Sequence, residues 1–262
     1  MTKIMGVLNC TPDSFYDGGR FSSLDKAVRQ AEMMINDGAD IIDVGGESTR
    51  PGAKEISAQE EMDRVIPVIE KISVYNTEIS IDTTKSSVAE AAVRAGAVII
   101  NDISAFTYDE KMVKIAAKYQ TKCILGHVRG RPENMQNDTS YNNLIKDIKK
   151  YLKNQISLAE TDGIKKNNII IDPGIGFGKS LSDNYMIIRN IDKLKKMGHP
   201  VLIGLSRKSL IGKVLGEGVD RLPATIALNT LSIINGADII RVHDVKEHKL
   251  ILPALEIYLR NC

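Results

Sequence analysis

Seven places in this chain set carboxylates, amides or cations directly after a short run of aliphatic, often β-branched residues. They are Asn9, Asp43, Asp82, Asn101-Asp102, Asp172, Ser206-Arg207-Lys208-Ser209 and Arg241-Val242-His243-Asp244. Taken singly, each reads equally well as a helix N-cap or as a buried polar group with its hydrogen bonds met. Taken together, they could gather around one ligand. Carboxylates and an amide on neighbouring elements offer the paired acceptors that the N–H groups and exocyclic amine of an amino-oxo heterocycle require. The cations near the C-terminal end of the chain suit an anionic leaving group. These residue types point to a phosphorylated heterocycle as ligand.

Two of the stretches run on into loops longer than a plain connection, which needs only about 2 to 6 residues. Asn9 leads into Cys10-Thr11-Pro12-Asp13-Ser14-Phe15-Tyr16-Asp17-Gly18-Gly19, and Asp43 into Val44-Gly45-Gly46-Glu47-Ser48-Thr49-Arg50-Pro51-Gly52. Loops of this length read as lids or binding loops, and a guanidinium at Arg50 could clamp an anion bidentately. A third glycine-rich stretch, Pro173 to Ser180, nearly spells a nucleotide-binding P-loop, but proline stands where its first glycine belongs. It is better read as a mobile glycine loop.

The elements that must position these residues show in a repeat. Gly-Ala-x-Ile-Ile occurs at Gly38, Gly96 and Gly236, each time followed by polar residues. A glycine after a helical stretch is its C-terminal stop, and the β-branched run behind it is a buried parallel strand. Apolar runs and helical periodicity together predict eight strand-then-helix pairs, with strands near 3–8, 40–44, 78–82, 97–101, 122–127, 168–172, 201–205 and 238–242. Leu24, Val28, Ala31 and Ile35 fall on one helical face, as do Val88, Ala91, Ala92 and Ala95. Ser57 with Glu60 predicts a capping box opening the second helix. Eight such units without a linker, in 262 residues, fit a single-domain (β/α)8 barrel, with the repeats as strands two, four and eight.

Composition narrows the function. A net charge of +2 gives no broad electrostatic reason to expect nucleic acid or membrane as a partner, and the lysines between Lys146 and Lys153 read as a solvated helix face. Cys10, Cys123 and Cys262 are widely spaced and suggest neither a disulfide framework nor a zinc site. No apolar run nears the ~20 residues of a membrane span and no secretory leader is evident at the first residues, so a cytoplasmic location is expected.

The segments Asn9 to Gly19, Asp43 to Gly52, Asp172 to Lys179 and Ser206 to Ser209 resemble, in order and along essentially the whole chain, the signatures of the dihydropteroate synthase family. The resemblance implies a Mg2+-dependent condensation of 6-hydroxymethyl-7,8-dihydropterin diphosphate with 4-aminobenzoate, giving 7,8-dihydropteroate and diphosphate, at a sulfonamide-sensitive step of folate synthesis. It places Asn9 on the Mg2+ that bridges the diphosphate. It sets Asp82, Asn101, Asp172 and Lys208 around the pterin, with Arg241 and His243 on the diphosphate. Asp17 and Arg50 would come from the two closing loops and, with Asp82 and Lys208, make up the catalytic group. Phe15, Thr49, Pro51, Phe177 and Ser209 resemble the aminobenzoate pocket. A homodimer through C-terminal helices is also implied, and the apolar run from Ala224 to Ile234 is compatible with it.

The residue types suit a dissociative substitution. Diphosphate leaves readily once its charge is neutralised, and Asp82 can offset positive charge on the pterin while the aniline nitrogen attacks. Two rivals share the pterin pocket. A methyltetrahydrofolate-binding methyltransferase would have no use for the first two loops. A non-catalytic pterin-binding paralogue would have no need to keep Asn9, Asp17, Arg50 and Lys208.

Overall fold

The computed structural model describes residues 2–11, 20–50 and 52–260. Phe15, Asp17 and Pro51 lie outside the described residues. In chain order the elements are β1 (Lys3–Asn9), α1 (Arg20–Asn36), β2 (Ile41–Gly45), α2 (Ala58–Ile72), β3 (Glu78–Asp82), α3 (Ser86–Ala95), β4 (Ile99–Asp102), α4 (Met112–Tyr119), β5 (Lys122–Gly126), α5 (Leu144–Thr161), β6 (Ile169–Asp172), α6 (Leu181–Arg189), α7 (Ile191–Lys195), β7 (Leu202–Ile203), α8 (Ser209–Leu215), α9 (Leu222–Ile234), β8 (Ile239–Val242) and α10 (Val245–Arg260). All strand pairings are parallel, in the order β6-β5-β4-β3-β2-β1-β8-β7. A parallel bridge between Ile171 and Val201, with the Ile171 N–H donating to Pro200 O at 2.9 Å, brings the two ends of the sheet together. The molecule is a (β/α)8 barrel, and the repeats are strands two, four and eight.

The repeated glycines act as helix stops. Gly38, Gly96 and Gly236 have φ of 95°, 124° and 103°, a region that costs little only for glycine. The N–H of the following alanine then reaches the carbonyl five residues back, Ala39 to Met34, Ala97 to Ala92 and Ala237 to Ser232, at 2.9, 2.9 and 3.0 Å. In two of the repeats the next residue serves the barrel floor. Asp40 accepts from the Ile4 N–H at 2.8 Å and Asp238 from the Val201 N–H at 2.7 Å, so each carboxylate caps the start of a neighbouring strand.

Strand alternation separates two apolar layers. Met5, Ile41, Ile99, Ile124, Ile170, Leu202 and Ile239 form a cluster of their own inside the barrel. Ile4, Leu8, Ile42, Val44, Ile79, Ile81, Ile100, Leu125, Ile171, Ile203 and Ile240 belong to the larger core between sheet and helices. Two residues beyond the inner plug, side chains point inward again. Those positions carry Asp43, Asn101, Gly126, Asp172, Gly204 and Arg241 and, after Met5, the apolar Val7. On β3 the buried Ser80 stands level with Ile99 and Asp82 comes two residues later, so a polar ring with gaps at Val7, Gly126 and Gly204 lies above a largely apolar plug.

Some expectations take a different form. Ser57 does cap α2, accepting from the Glu60 N–H at 3.1 Å, but the Glu60 side chain turns to Arg64 at 2.5 Å, so the capping box is half made. A complete box opens α6 instead, where Ser180 and Asp183 exchange bonds. The seventh strand is shorter than expected because only one bridge joins it to β6. The last two inter-strand segments hold two helices each, broken at Asn190 and at Gly216, whose φ is 96°. On α1 the most buried residues are Ala27, Ala31 and Met34, with Leu24, Val28 and Ile35 flanking them. On α3, Ala89 rather than Ala91 joins Val88 and Ala92 in the core.

Gly126 has a steric role in the ring. A Cβ there would stand 2.6 Å from Cα of Ile103 and 2.7 Å from its carbonyl oxygen, a backbone that cannot yield as a side-chain tip can. Gly126→Ala should destabilise the fold by about 1–3 kcal/mol, the usual cost of overpacking, as a lowered melting temperature in thermal denaturation.

Candidate active site

The ring is wired through Arg241. Its Nε donates to Asp43 Oδ2 at 2.6 Å and its Nη2 to Asp82 Oδ2 at 2.6 Å. The Asn101 Nδ2 also donates to Asp43 Oδ2, at 3.0 Å, so β2, β3, β4 and β8 share one polar network. Burial disfavours the guanidinium, but Asp43 and Asp82 more than offset it, and Arg241 holds its proton more tightly than a free arginine. Burial pushes the Asp82 carboxyl up to about 7, against the pull of Arg241.

On the other side of the mouth, Asp172 stands at the end of β6 and accepts from the Gly174 N–H at 2.7 Å. Burial raises its pKa, while Lys208 lowers it. The Lys208 ammonium donates to Ile175 O at 2.6 Å and lies 4.4 Å from the centre of the Phe177 ring. Burial brings its pKa down to about 8, opposed chiefly by Asp172. Gly204 faces both cations. A Cβ there would lie 3.7 Å from the Arg241 side chain and 4.0 Å from the Lys208 ammonium. Two anchored cations, three carboxylates and an amide thus face one space above an apolar floor.

Comparison with known proteins agrees with this geometry. Residues 5–243 match the family described as "Pterin binding enzyme". The dihydropteroate synthase of Clostridium beijerinckii is 47% identical over 263 residues, covering 99% of this chain and 95% of that one. A crystal structure of dihydropteroate synthase from Clostridium difficile, obtained with pteroic acid, superposes with a TM-score of 0.92 at 43% identity, covering 98% of this chain and 96% of that one. The Yersinia pestis enzyme in a sulfonamide complex gives a TM-score of 0.93 at 41% identity, covering 100% and 95%. The chain belongs to the dihydropteroate synthase family.

Dihydropteroate synthase is a transferase, and the sequence-predicted residues can be placed around its barrel mouth. Asp82, Asn101, Asp172, Lys208 and Arg241 come together there. His243 lies at the end of β8 with its Nδ1 3.0 Å from Ser206 Oγ, and the same hydroxyl accepts from the His243 N–H at 3.2 Å. Burial, then the charge of Arg241, lower its pKa to about 4, so the ring is neutral at pH 7. Arg50 is exposed on the β2–α2 loop, within electrostatic reach of His243. Thr49 lines a cleft with Glu47, Asp82, Ile103, Tyr108 and Arg131, whereas Ser209 lines another with Gln136, Gly176, Lys179 and Lys213. Phe177 sits half-buried between Lys208 and the glycine loop. Asn9 is half-buried at the end of β1, next in register to Gly45.

The site also contains a strand-end residue with no role assigned from the sequence. Asp43 reads in sequence as a polar residue at the end of strand two, and it is fully buried and bonded to both Arg241 and Asn101. The signal was present in its spacing, two residues after the inward-facing Ile41. Its neighbour in kind, Asp102, faces the other way. It accepts from the Ser104 N–H, the Ser104 hydroxyl and the Phe106 N–H at 2.7, 2.6 and 3.1 Å, holding a turn in which Ala105 and Phe106 have φ of 48° and 73°.

Asp43→Ala removes a carboxylate from a buried pair and leaves Arg241 with Asp82 alone. We expect a loss of about 3 kcal/mol in folding stability, the low end for breaking a buried pair because one partner remains, measured by denaturant titration, and weaker pterin binding by calorimetry.

Proposed function

We propose that the barrel mouth of this single domain condenses 6-hydroxymethyl-7,8-dihydropterin diphosphate with 4-aminobenzoate, and that the work is divided as follows. The pterin lies in the ring. Asp172 accepts from its aminopyrimidine edge, Asn101 and Lys208 meet its remaining polar groups, and Asp82 stabilises positive charge developing on the ring as the C–O bond to diphosphate lengthens. Arg241 and His243 receive the diphosphate. A neutral His243 whose Nδ1 takes the Ser206 hydroxyl carries its proton on Nε2, so it still presents an N–H donor. The aniline nitrogen then attacks from the side of Phe177, Thr49 and Ser209, with Phe15 and Pro51 completing the pocket. Arg50 and Asp17, from the two long loops, close over it and exclude water. The observation that carries this reading is the network joining Asp43, Asp82, Asn101 and Arg241 above a dry plug, which holds the acceptors in place before substrate arrives.

Mg2+ fits this arrangement as a companion of the diphosphate rather than as a resident of a protein cage. Among the described residues no group of three or more His, Cys, Asp or Glu side chains is placed to hold a metal. Asn9 offers one amide oxygen, and Mg2+ commonly takes one or two protein oxygens with substrate phosphates and water. When bound it would neutralise charge on the leaving group. Leu231, Ile234, Leu250 and Ile257, exposed on α9 and α10, support a homodimer through the C-terminal helices, to be read by light scattering. A cytoplasmic location is part of the proposal; among the described residues no helix is long and apolar enough to cross a membrane.

The deciding assay is diphosphate release from pterin diphosphate, 4-aminobenzoate and Mg2+, with sulfonamides competing against aminobenzoate. Release separates a synthase from a pterin-binding paralogue. Asp172→Ala should abolish pterin binding in calorimetry, and affinity equal to wild type would remove Asp172 from the site. Arg50→Ala should lower turnover and raise the KM for aminobenzoate; unchanged steady-state kinetics would argue against loop closure. Lys208 should set an alkaline limit. Its charged form prevails below about pH 8 and is lost above, so kcat/KM for the pterin diphosphate should fall as pH rises through that value. In Lys208→Arg, which keeps its charge, the limb should move beyond the measurable range even if the maximal rate is lower.

A further inference from the structure

Lys179 is the most deeply buried lysine among the described residues, at 3% exposure, and the chemistry above makes no use of it. Its Nζ lies 2.8 Å from Gly174 O, 2.9 Å from Phe177 O, 3.0 Å from His127 Nδ1 and 3.3 Å from His127 O. All four acceptors are neutral. Burial and then the charge of Lys179 hold the His127 pKa down at about 2, so its ring does not compete as a cation. That ring is fixed edge-on against Tyr151, 4.9 Å between centres, whose hydroxyl donates to Ser104 O at 2.7 Å. The glycine loop is seated on the same strand end, since a Cβ at Gly174 would stand 1.9 Å from His127 O. The two loop carbonyls that Lys179 holds bracket Ile175 and Gly176. From that bracket rise the carbonyl that takes Lys208 and the ring over which Lys208 lies.

We propose that Lys179 is a positioning residue, whose ammonium pins the Gly174–Phe177 turn to the end of β5 and through it sets the Phe177 ring and the Lys208 ammonium on the substrate side. This rests on the reading that Phe177 and Lys208 face the substrates. An ammonium has three protons for these acceptors, while the neutral amine has two and turns a lone pair toward a carbonyl, so deprotonation loosens the turn. The charges facing Lys179 are Asp172 on β6 and Asp183 on α6, which favour the ammonium, and Lys208, which disfavours it. Burial outweighs them and brings the group to about 7.

The test is Lys179→Met, assayed at saturating pterin diphosphate. The KM for 4-aminobenzoate should rise roughly 10- to 100-fold, the range set by one charged hydrogen bond, with a smaller change in kcat. The wild-type KM should climb from about pH 6 to about pH 9, while the variant's stays flat. A folded variant with wild-type KM, or a lowered melting temperature with unchanged KM, overturns the proposal. If the methionine variant does not fold, Lys179→Gln is read in the same way, and a flat wild-type KM across that pH range overturns the proposal by itself. Wild-type protein that makes no dihydropteroate would instead fail the functional reading.

Discussion

A β-strand turns its side chains over at every residue, and in a closed parallel barrel that alternation decides which groups can meet. Here it stacks a polar ring directly on an apolar plug. Met5, Ile41, Ile99, Ile124, Ile170, Leu202 and Ile239, with Ser80 beside Ile99 on β3, fill one level, and among the inward positions two residues later are Asp43, Asp82, Asn101, Asp172 and Arg241. A one-residue slip in any strand would send its carboxylate or cation into the apolar layer under the helices. The plug opposes that on β2, β4, β6 and β8, because the slip would expel an isoleucine from it at the same time. The hydrophobic core therefore sets the register of the site as well as the stability of the fold.

The ring costs energy to build, and its wiring offsets the cost. A buried carboxylate or guanidinium is tolerated only with a partner close by. Arg241 spans Asp43 and Asp82, and Asn101 shares the Asp43 oxygen, so four strands contribute to one set of compensating charges. Such groups need little reorganisation when a substrate displaces water, which is the condition under which fixed dipoles and charges favour a charged transition state. Gly126 and Gly204 occupy ring positions where a side chain would fill the space the ligand needs or press on its neighbours.

How much of this was legible in the sequence follows from the same alternation. The strands, their parallel order and the convergence of Asp82, Asn101, Asp172 and Arg241 could be read because each residue closes an aliphatic, β-branched run, whereas Lys208 stands beyond β7 as the cap of α8 and was placed by the motif it belongs to. Asp43 is legible as a strand-end polar residue, but its bond to Arg241, 198 residues away, is not, because no local pattern encodes that pairing. Asp102 looked equivalent to Asn101, yet an adjacent residue must face the opposite way, and it shapes a turn instead of a pocket. Lys179 was the hardest to read. Its contacts are to backbone carbonyls of a glycine loop and to His127, 52 residues away, and no local pattern encodes a carbonyl's direction. The helix break at Asn190 escaped because apolar periodicity runs through it, whereas the break at Gly216 is marked in the sequence by the glycines and charges of 216–221.

The two sides of the mouth hold their cations in different ways, and this has a chemical consequence. Arg241 lies against carboxylates, which hold its proton above the ordinary value, so that side keeps its charge at any pH at which the protein folds. Lys208 and Lys179 are held mainly by carbonyls and an imidazole, which orient an ammonium without repaying its full desolvation, and both are pulled down toward neutrality. A carbonyl cradle leaves a lysine free to respond to what enters the site. Asp172 offsets only part of the cost of burying Lys208, so an anionic substrate arriving nearby would draw its pKa back up. On the proposed assignment, the division gives a permanent cation where the leaving group would depart and a responsive one where the ring would be recognised.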